Sequence, residues 1–219
     1  SLQELIKNKL TTVQRLELSS DYITEGHALK GVLKADMENI RSTMEKIDYN
    51  TFEDVVNNIF AAKRIYIIGL RSSMALAEFL GFYLNIILQN VKTVGYGISD
   101  IFEQMINVGE GDLVIGIGFP RYASRTIDAL AFAQDRGATV VAVTDSFLSP
   151  LAARADYSLI AQSNMASFVD SLVAPLSVIN ALIIAVGMRE KENISSTFNS
   201  LEEIWREYNV YSYNNRNVG

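Results

Sequence analysis

Cysteine is absent from the 219 residues, histidine occurs once and proline three times. Without cysteine there is no disulfide framework, thiol nucleophile or zinc-thiolate site, and nothing demands an oxidising compartment. A lone histidine, His27, leaves no His-Glu-x-x-His pair, and no calcium-binding loop or Walker A sequence occurs. No metal or cofactor is expected. Basic residues are also scarce, 19 against 25 acidic, for a formal net charge of −6. Nucleic-acid-binding domains carry a basic face, so this stretch by itself is a poor DNA-binding surface. The longest apolar run, Phe168 to Gly187, is broken by Asp170, Pro175 and Asn180, residues that are costly in hydrocarbon, and no membrane partner is expected. Ser1 to Arg15 reads as an amphipathic helix rather than a secretory leader, with Leu2, Leu5, Ile6, Leu10 and Val13 on one face. The expected setting is cytoplasmic, and the start at Ser1 rather than Met suggests a piece of a longer chain.

Apolar residues make up 49% of the sequence, enough for one large α/β domain with a short appendage. After the first helix, Ser19-Ser20-Asp21 breaks the pattern. A second helix is predicted from Lys30 to Ile47, and Thr51-Phe52-Glu53-Asp54 resembles a capping box opening a third, to Ala62. The pattern then changes to alternating strands and helices. Ile65 to Ile68, ending at Gly69, is a continuous apolar run of the kind buried on both faces of a parallel sheet. Further strands are predicted at Lys92 to Val94, Leu113 to Gly118, Thr139 to Thr144 and Tyr157 to Ile160. The intervening helices are Met74 to Gln89 with Ser72 or Ser73 as cap, Asp100 to Asn107 opened by Ser99, and Ala123 to Arg136 stopped by Gly137. Pro150-Leu151 opens a short helix. A long apolar helix, Ser167 to Met188, and a more polar one, Ser195 to Asn209, close the chain. The fold class is therefore α/β, a doubly wound five-stranded parallel sheet with an N-terminal helical extension.

Ligands of such sheets bind beyond the carboxyl ends of the strands, which converts three loops into a candidate site. Gly69-Leu70-Arg71-Ser72-Ser73 joins free helix N–H groups, two hydroxyls and a guanidinium, an anion-binding combination. Alternatively, Ser72 or Ser73 only caps the helix and Arg71 faces solvent. Phe119-Pro120-Arg121-Tyr122-Ala123-Ser124 puts Arg121, with Arg125 close behind, and the hydroxyls of Tyr122, Ser124 and Thr126 after the third strand. Thr144-Asp145-Ser146 offers short polar side chains that local turns also use. For catalysis, Glu78 or Glu103 could serve as a base and His27 could arrive from a neighbouring subunit. Gly116-Ile117-Gly118 lacks the remaining glycine of a dinucleotide-binding turn.

Three stretches together, RIYIIGLRSSMALAEFL, GDLVIGIGFPRYASRTIDALAFAQDRGATVVAVTDSFLSPLAARADYSLI and SFVDSLVAPLSVINALIIAVG, resemble a SIS (sugar isomerase) domain, of the flavodoxin-like kind. More narrowly, they resemble the effector-binding half of RpiR-type bacterial transcription regulators, over about Met37 to Met188. The resemblance implies phosphosugar binding at Arg71, Ser72 and Ser73, at Arg121, Tyr122 and Ser124, and at Thr144 and Ser146, with Ser167 at the start of the long helix. It implies further that residues 1–18 are the closing helix of a helix-turn-helix domain, 19–50 a linker and helix, and 51–219 the SIS domain. DNA would then be reached only through the missing domain, within a homodimer or tetramer. Many SIS domains carry Ser-x-Ser-Gly-x-Thr after the third strand, whereas Gly116 to Ser124 substitutes arginine and tyrosine for the small hydroxyls. Sugar phosphate leads as ligand class, with a sugar acid or other small anion open, and a phosphosugar isomerase as the alternative function. Met74 to Leu88 and Ser167 to Met188 are candidate subunit interfaces.

Overall fold

The computed structural model describes residues 10–19, 27–165 and 167–211. Five short strands form one wholly parallel sheet: β1 (Ile65–Gly69), β2 (Val91–Val94), β3 (Leu113–Ile117), β4 (Thr139–Thr144) and β5 (Tyr157–Ile160), in the order β2-β1-β3-β4-β5. Alternate residues of the central strands enter two separate cores. Ile65 and Ile67 of β1 join Leu113, Ile115 and Ile117 of β3 on one face, while Tyr66, Ile68 and Val114 point to the other. Because both faces are covered, β1 and β3 read as continuous apolar runs, all of whose residues are buried.

On the first face lie α3 (Tyr49–Ala61), α4 (Met74–Leu88) and α7 (Val173–Arg189), contributing Ile59, Leu80, Leu84, Ile179 and Leu182. On the second lie α5 (Ile101–Gln104) and α6 (Ser124–Gln134), contributing Ile101, Met105, Ala129 and Leu130. The helix after β1 and the helix after β3 thus leave neighbouring strands for opposite faces. That divergence opens a crevice at the carboxyl ends of β1 and β3. The N-terminal extension contains α1 (Thr12–Ser19) and α2 (Ala28–Lys46), and α8 (Lys191–Glu207) follows α7 directly. Among the described residues no single helix is long and apolar enough to cross a membrane.

Helix limits differ from the periodic pattern wherever a polar cap decides them. The expected Ser1 to Arg15 helix falls mostly on residues 1–9, which lie outside the described residues; the described helix α1 runs from Thr12 to Ser19. A reciprocal pair sets that start: the Thr11 N–H donates to Gln14 Oε1 at 2.9 Å and the Gln14 N–H to Thr11 Oγ1 at 3.3 Å. The cap of α3 is Asp48, whose carboxylate accepts from both the N–H and the hydroxyl of Thr51 at 2.7 Å, so Thr51 is a first-turn donor and not the cap. Asp100, not Ser99, caps α5. Neither Ser72 nor Ser73 caps α4 with its side chain; a 3-10 turn, Arg71–Ser73, leads into it instead. The long apolar helix α7 starts at Val173, because the described residues between Ala161 and Leu172 are not helical, and Ser167 sits in that connection. Gly137 does end α6 in a left-handed conformation, φ 76°.

Candidate functional site

The crevice between β1 and β3 is a cleft of about 440 Å³. Its floor is the end of β3 and Gly118. Its sides are the β1–α4 loop with Arg71, Ser72 and Ser73, the β3–α6 loop with Arg121 and Tyr122, and Thr126 of α6. Two tight turns hold these loops. A Cβ on Gly69 would stand 2.6 Å from the Ser73 carbonyl oxygen, so the chain can fold back over the strand end only with glycine there. Arg71 and Arg121 both adopt left-handed backbone, φ 58° and 63°. Two non-glycine residues in that region, at equivalent places after adjacent central strands, aim the two loops at the crevice.

Five of the nine residues expected at the site line the cleft: Arg71, Ser72, Ser73, Arg121 and Tyr122. The other four are placed elsewhere. Ser124 is an exposed first residue of α6, and Thr144 is wholly buried at the end of β4 with its hydroxyl directed to Asp145 Oδ1. Ser146 accepts from the Leu148 N–H in a local turn, and Ser167 lies next to a lining residue without lining the cleft itself. Arg125 is engaged away from the site, paired with Asp100 and stacked on Phe102.

Polar and aromatic side chains outside the nine also line the cleft: Arg15, Thr126, Phe168 and Asp170, beside residues of the strand ends and their loops. Arg15 reaches in from α1, is 2% exposed, and its Nη1 donates to Asp170 Oδ1 at 2.9 Å. Burial pushes the Asp170 carboxyl above the ordinary aspartate range, and the charges of Arg15 and Arg121 oppose that rise. The Tyr122 hydroxyl donates to Asp145 Oδ1 at 2.7 Å, and burial, reinforced by Asp145, raises its pKa, so it remains a phenol. Arg15 Nε and the hydroxyl of Thr126 are buried and have no partner among the described residues. Native structures rarely leave such groups unpaired. The lining carries three arginines, Arg15, Arg71 and Arg121, and one carboxylate, Asp170, a formal surplus of two positive charges among its residues in a chain whose net charge is −6.

The residues considered for catalysis lie outside the cleft. Glu78 is exposed in a separate groove with Lys92 and Gln104, Glu103 accepts from the Asp100 N–H as part of the α5 cap, and His27 precedes α2 at the surface. Among the described residues no group of three His, Asp or Glu side chains is arranged to hold a metal ion.

A cationic cleft at the switch point of a β2-β1-β3-β4-β5 sheet defines a doubly wound α/β domain with a candidate ligand site where such sheets hold ligands. The sequence matches the SIS domain over residues 58–185, and the chain belongs to the SIS domain family, in the form carried by RpiR-type regulators. The sugar isomerase domain of an RpiR transcription factor from Sphaerobacter thermophilus is 30% identical, with a TM-score of 0.77 over 81% of this chain and 99% of that one. An HTH-type transcriptional regulator of Haemophilus influenzae is 28% identical over 182 residues, 81% of this chain and 62% of that protein. The chain spans less than two thirds of the length of the curated relatives it matches. The Vibrio vulnificus NanR protein, complexed with ManNAc-6P, shares the fold at a TM-score of 0.72 and 18% identity, over 90% of this chain and 74% of that one.

Proposed function

We propose that this domain senses an anionic sugar metabolite, foremost a sugar phosphate, and that occupancy controls DNA binding by a helix-turn-helix domain preceding it. The observation that carries this reading is the cleft's surplus of two positive charges beside two unpartnered buried polar groups, one of them a guanidinium N–H. A phosphate monoester carries nearly two negative charges at neutral pH and presents several acceptor oxygens; a sugar acid supplies one charge. Arginine meets either group through paired N–H bonds, and the charge balance favours the phosphate. The ManNAc-6P of the NanR complex supports the same ligand class, and the named regulators among the relatives support the regulatory role. A cytoplasmic homodimer or tetramer completes the reading.

An isomerase would need a base beside the sugar's first carbons. The cleft's carboxylate, Asp170, is held by Arg15, and Glu78, Glu103 and His27 lie elsewhere, which favours sensing. The test is a thermal-stability panel of sugar phosphates and sugar acids. A ligand at about 100 times its dissociation constant stabilises by about 2.7 kcal/mol. Arg121→Ala is expected to remove that response while leaving the fold intact. No stabilisation by any member, or turnover of an aldose phosphate, would sink the proposal.

A further inference from the structure

The N-terminal helices build one wall of the cleft. The connection between β5 and α7 supplies Phe168 and Asp170 to the site, and α2 holds that connection along its length. Thr43 Oγ1 accepts from the Gln162 N–H at 2.8 Å. The Asn39 amide exchanges two bonds with the Asn164 backbone, at 2.9 and 3.1 Å. The Ser171 hydroxyl donates to Asp36 at 2.6 Å. Residues 36, 39 and 43 share one helical face, so a single stripe of α2 grips the connection. One helix earlier, Arg15 of α1 binds Asp170 on the same wall.

Arg15 is an unusual residue to bury for structure alone. Its side chain is 3% exposed, yet one carboxylate bond accounts for Nη1 while Nε has no partner. A guanidinium carries five N–H donors in a planar fork, and the oxygens of an anion bound in the cleft would match them. Thr126 Oγ1, in the lining of the same cleft, has no partner among the described residues either.

We propose that Arg15 is a ligand-binding residue delivered by α1, shared between Asp170 and the bound anion, so that filling the cleft fixes α1 in place. The inference rests on the cleft being the anion site. Its consequence is thermodynamic. Whatever factor the docked α1 adds to anion affinity, the anion adds to α1 docking, because coupling between two binding equilibria is reciprocal. The signal leaves through the segment that precedes α2, at the N-terminal end of the domain.

The experiment uses the full chain and inorganic phosphate as probe, with calorimetry for affinity and amide exchange of Thr12–Ser19 for α1 docking. Phosphate is expected to slow exchange in α1 of the parent protein. Arg15→Gln should weaken phosphate at least tenfold and abolish that protection, and Arg15→Lys should restore part of both. Asp170→Asn gives the opposite sign: it removes the competing carboxylate and leaves Arg15 to the anion, so phosphate should bind several-fold tighter. Removal of the carboxylate charge alone would give the same gain in the Arg15→Lys background as in the parent, whereas release of Arg15 to the anion predicts a smaller gain there; equal gains overturn the inference even if Arg15→Gln fails to fold. If Arg121→Ala loses phosphate while Arg15→Gln binds normally and α1 exchange ignores phosphate, Arg15 is excluded and the anion site stands. If the parent protein binds no phosphate, both readings fall.

Discussion

Arg71 and Arg121 show how the backbone of the site is held. A left-handed conformation costs an L-residue with a Cβ about 1–2 kcal/mol, and most proteins place glycine or asparagine there. Two arginines in that state imply that their side chains are needed where the turns point. Substituting Arg121 separates the two contributions. Arg121→Ala keeps the strain and loses the guanidinium, whereas Arg121→Gly loses both. Alanine at positive φ gives up more than it gains from its smaller unfolded-state entropy. Urea unfolding is therefore expected to find Arg121→Gly about 1 kcal/mol more stable than Arg121→Ala, with ligand response absent from both. Equal stability would show that the turn relaxes and that φ 63° is not enforced. At this scale the sequence was a partial guide. Arg71, Arg121 and Tyr122 follow strand ends directly, so strand positions located them. Arg15 and Asp170 are 155 positions apart and meet only through the packing of α1 on the far connection. The one signal for Asp170 was a carboxylate in an otherwise apolar stretch.

Secondary elements divide by what terminates them. The central strands β1, β3 and β4 matched their apolar runs to within a residue, since burial on both faces leaves no polar alternation to misread. Helices were found but misbounded, because periodicity reports a face while caps report an end. Asp48 with Thr51, and Asp100 with Glu103, each start a helix one to several residues from where the apolar pattern alone would begin it. The start of α7 moved furthest. Ser167 to Leu172 adjoins the apolar run but serves as the cleft wall, which is non-helical and bonded to α2 through Ser171. The turn from β1 into α4 has its own weak point. Gly69→Ala puts a methyl group 2.6 Å from the Ser73 carbonyl oxygen, an atom that cannot move without shifting the helix start. A cost of about 1–3 kcal/mol is expected in denaturant unfolding. Displacement of Arg71–Ser73 should also lower phosphate affinity beyond any change in fold. An Ala variant with parent-like stability and binding would show that the turn is not closely packed.

For the whole molecule, the open question is what covers α2. Its inner face is polar and bonded to the cleft wall, while Leu29, Leu33, Met37, Ile40 and Met44 form an exposed apolar stripe on the rest of it, with Leu29 75% and Met44 71% exposed. The stripe ends in an apolar groove of about 370 Å³ between α2, α3 and α7, walled by Ile47, Tyr49, Phe52 and Val178. By comparison α4 exposes Phe82 and Tyr83 and α7 exposes Ile184 and Met188, shorter patches than the two-helix interface read from sequence. A ridge and a groove on one continuous surface suit an isologous contact, in which each copy's ridge fills the other's groove about a two-fold axis. Patches of this extent usually mark association. A second copy of this chain is the occupant we expect. It would place two α2 helices, each gripping its own cleft wall, back to back at the dimer axis. Sedimentation should find a dimer for the parent chain and a monomer for Leu33→Glu combined with Met37→Glu, with unchanged circular dichroism, because two exposed positions leave each core intact. A parent chain that sediments as a monomer would instead assign the stripe to another segment of a longer protein. A dimer that survives the double substitution would move the axis to α4 or α7.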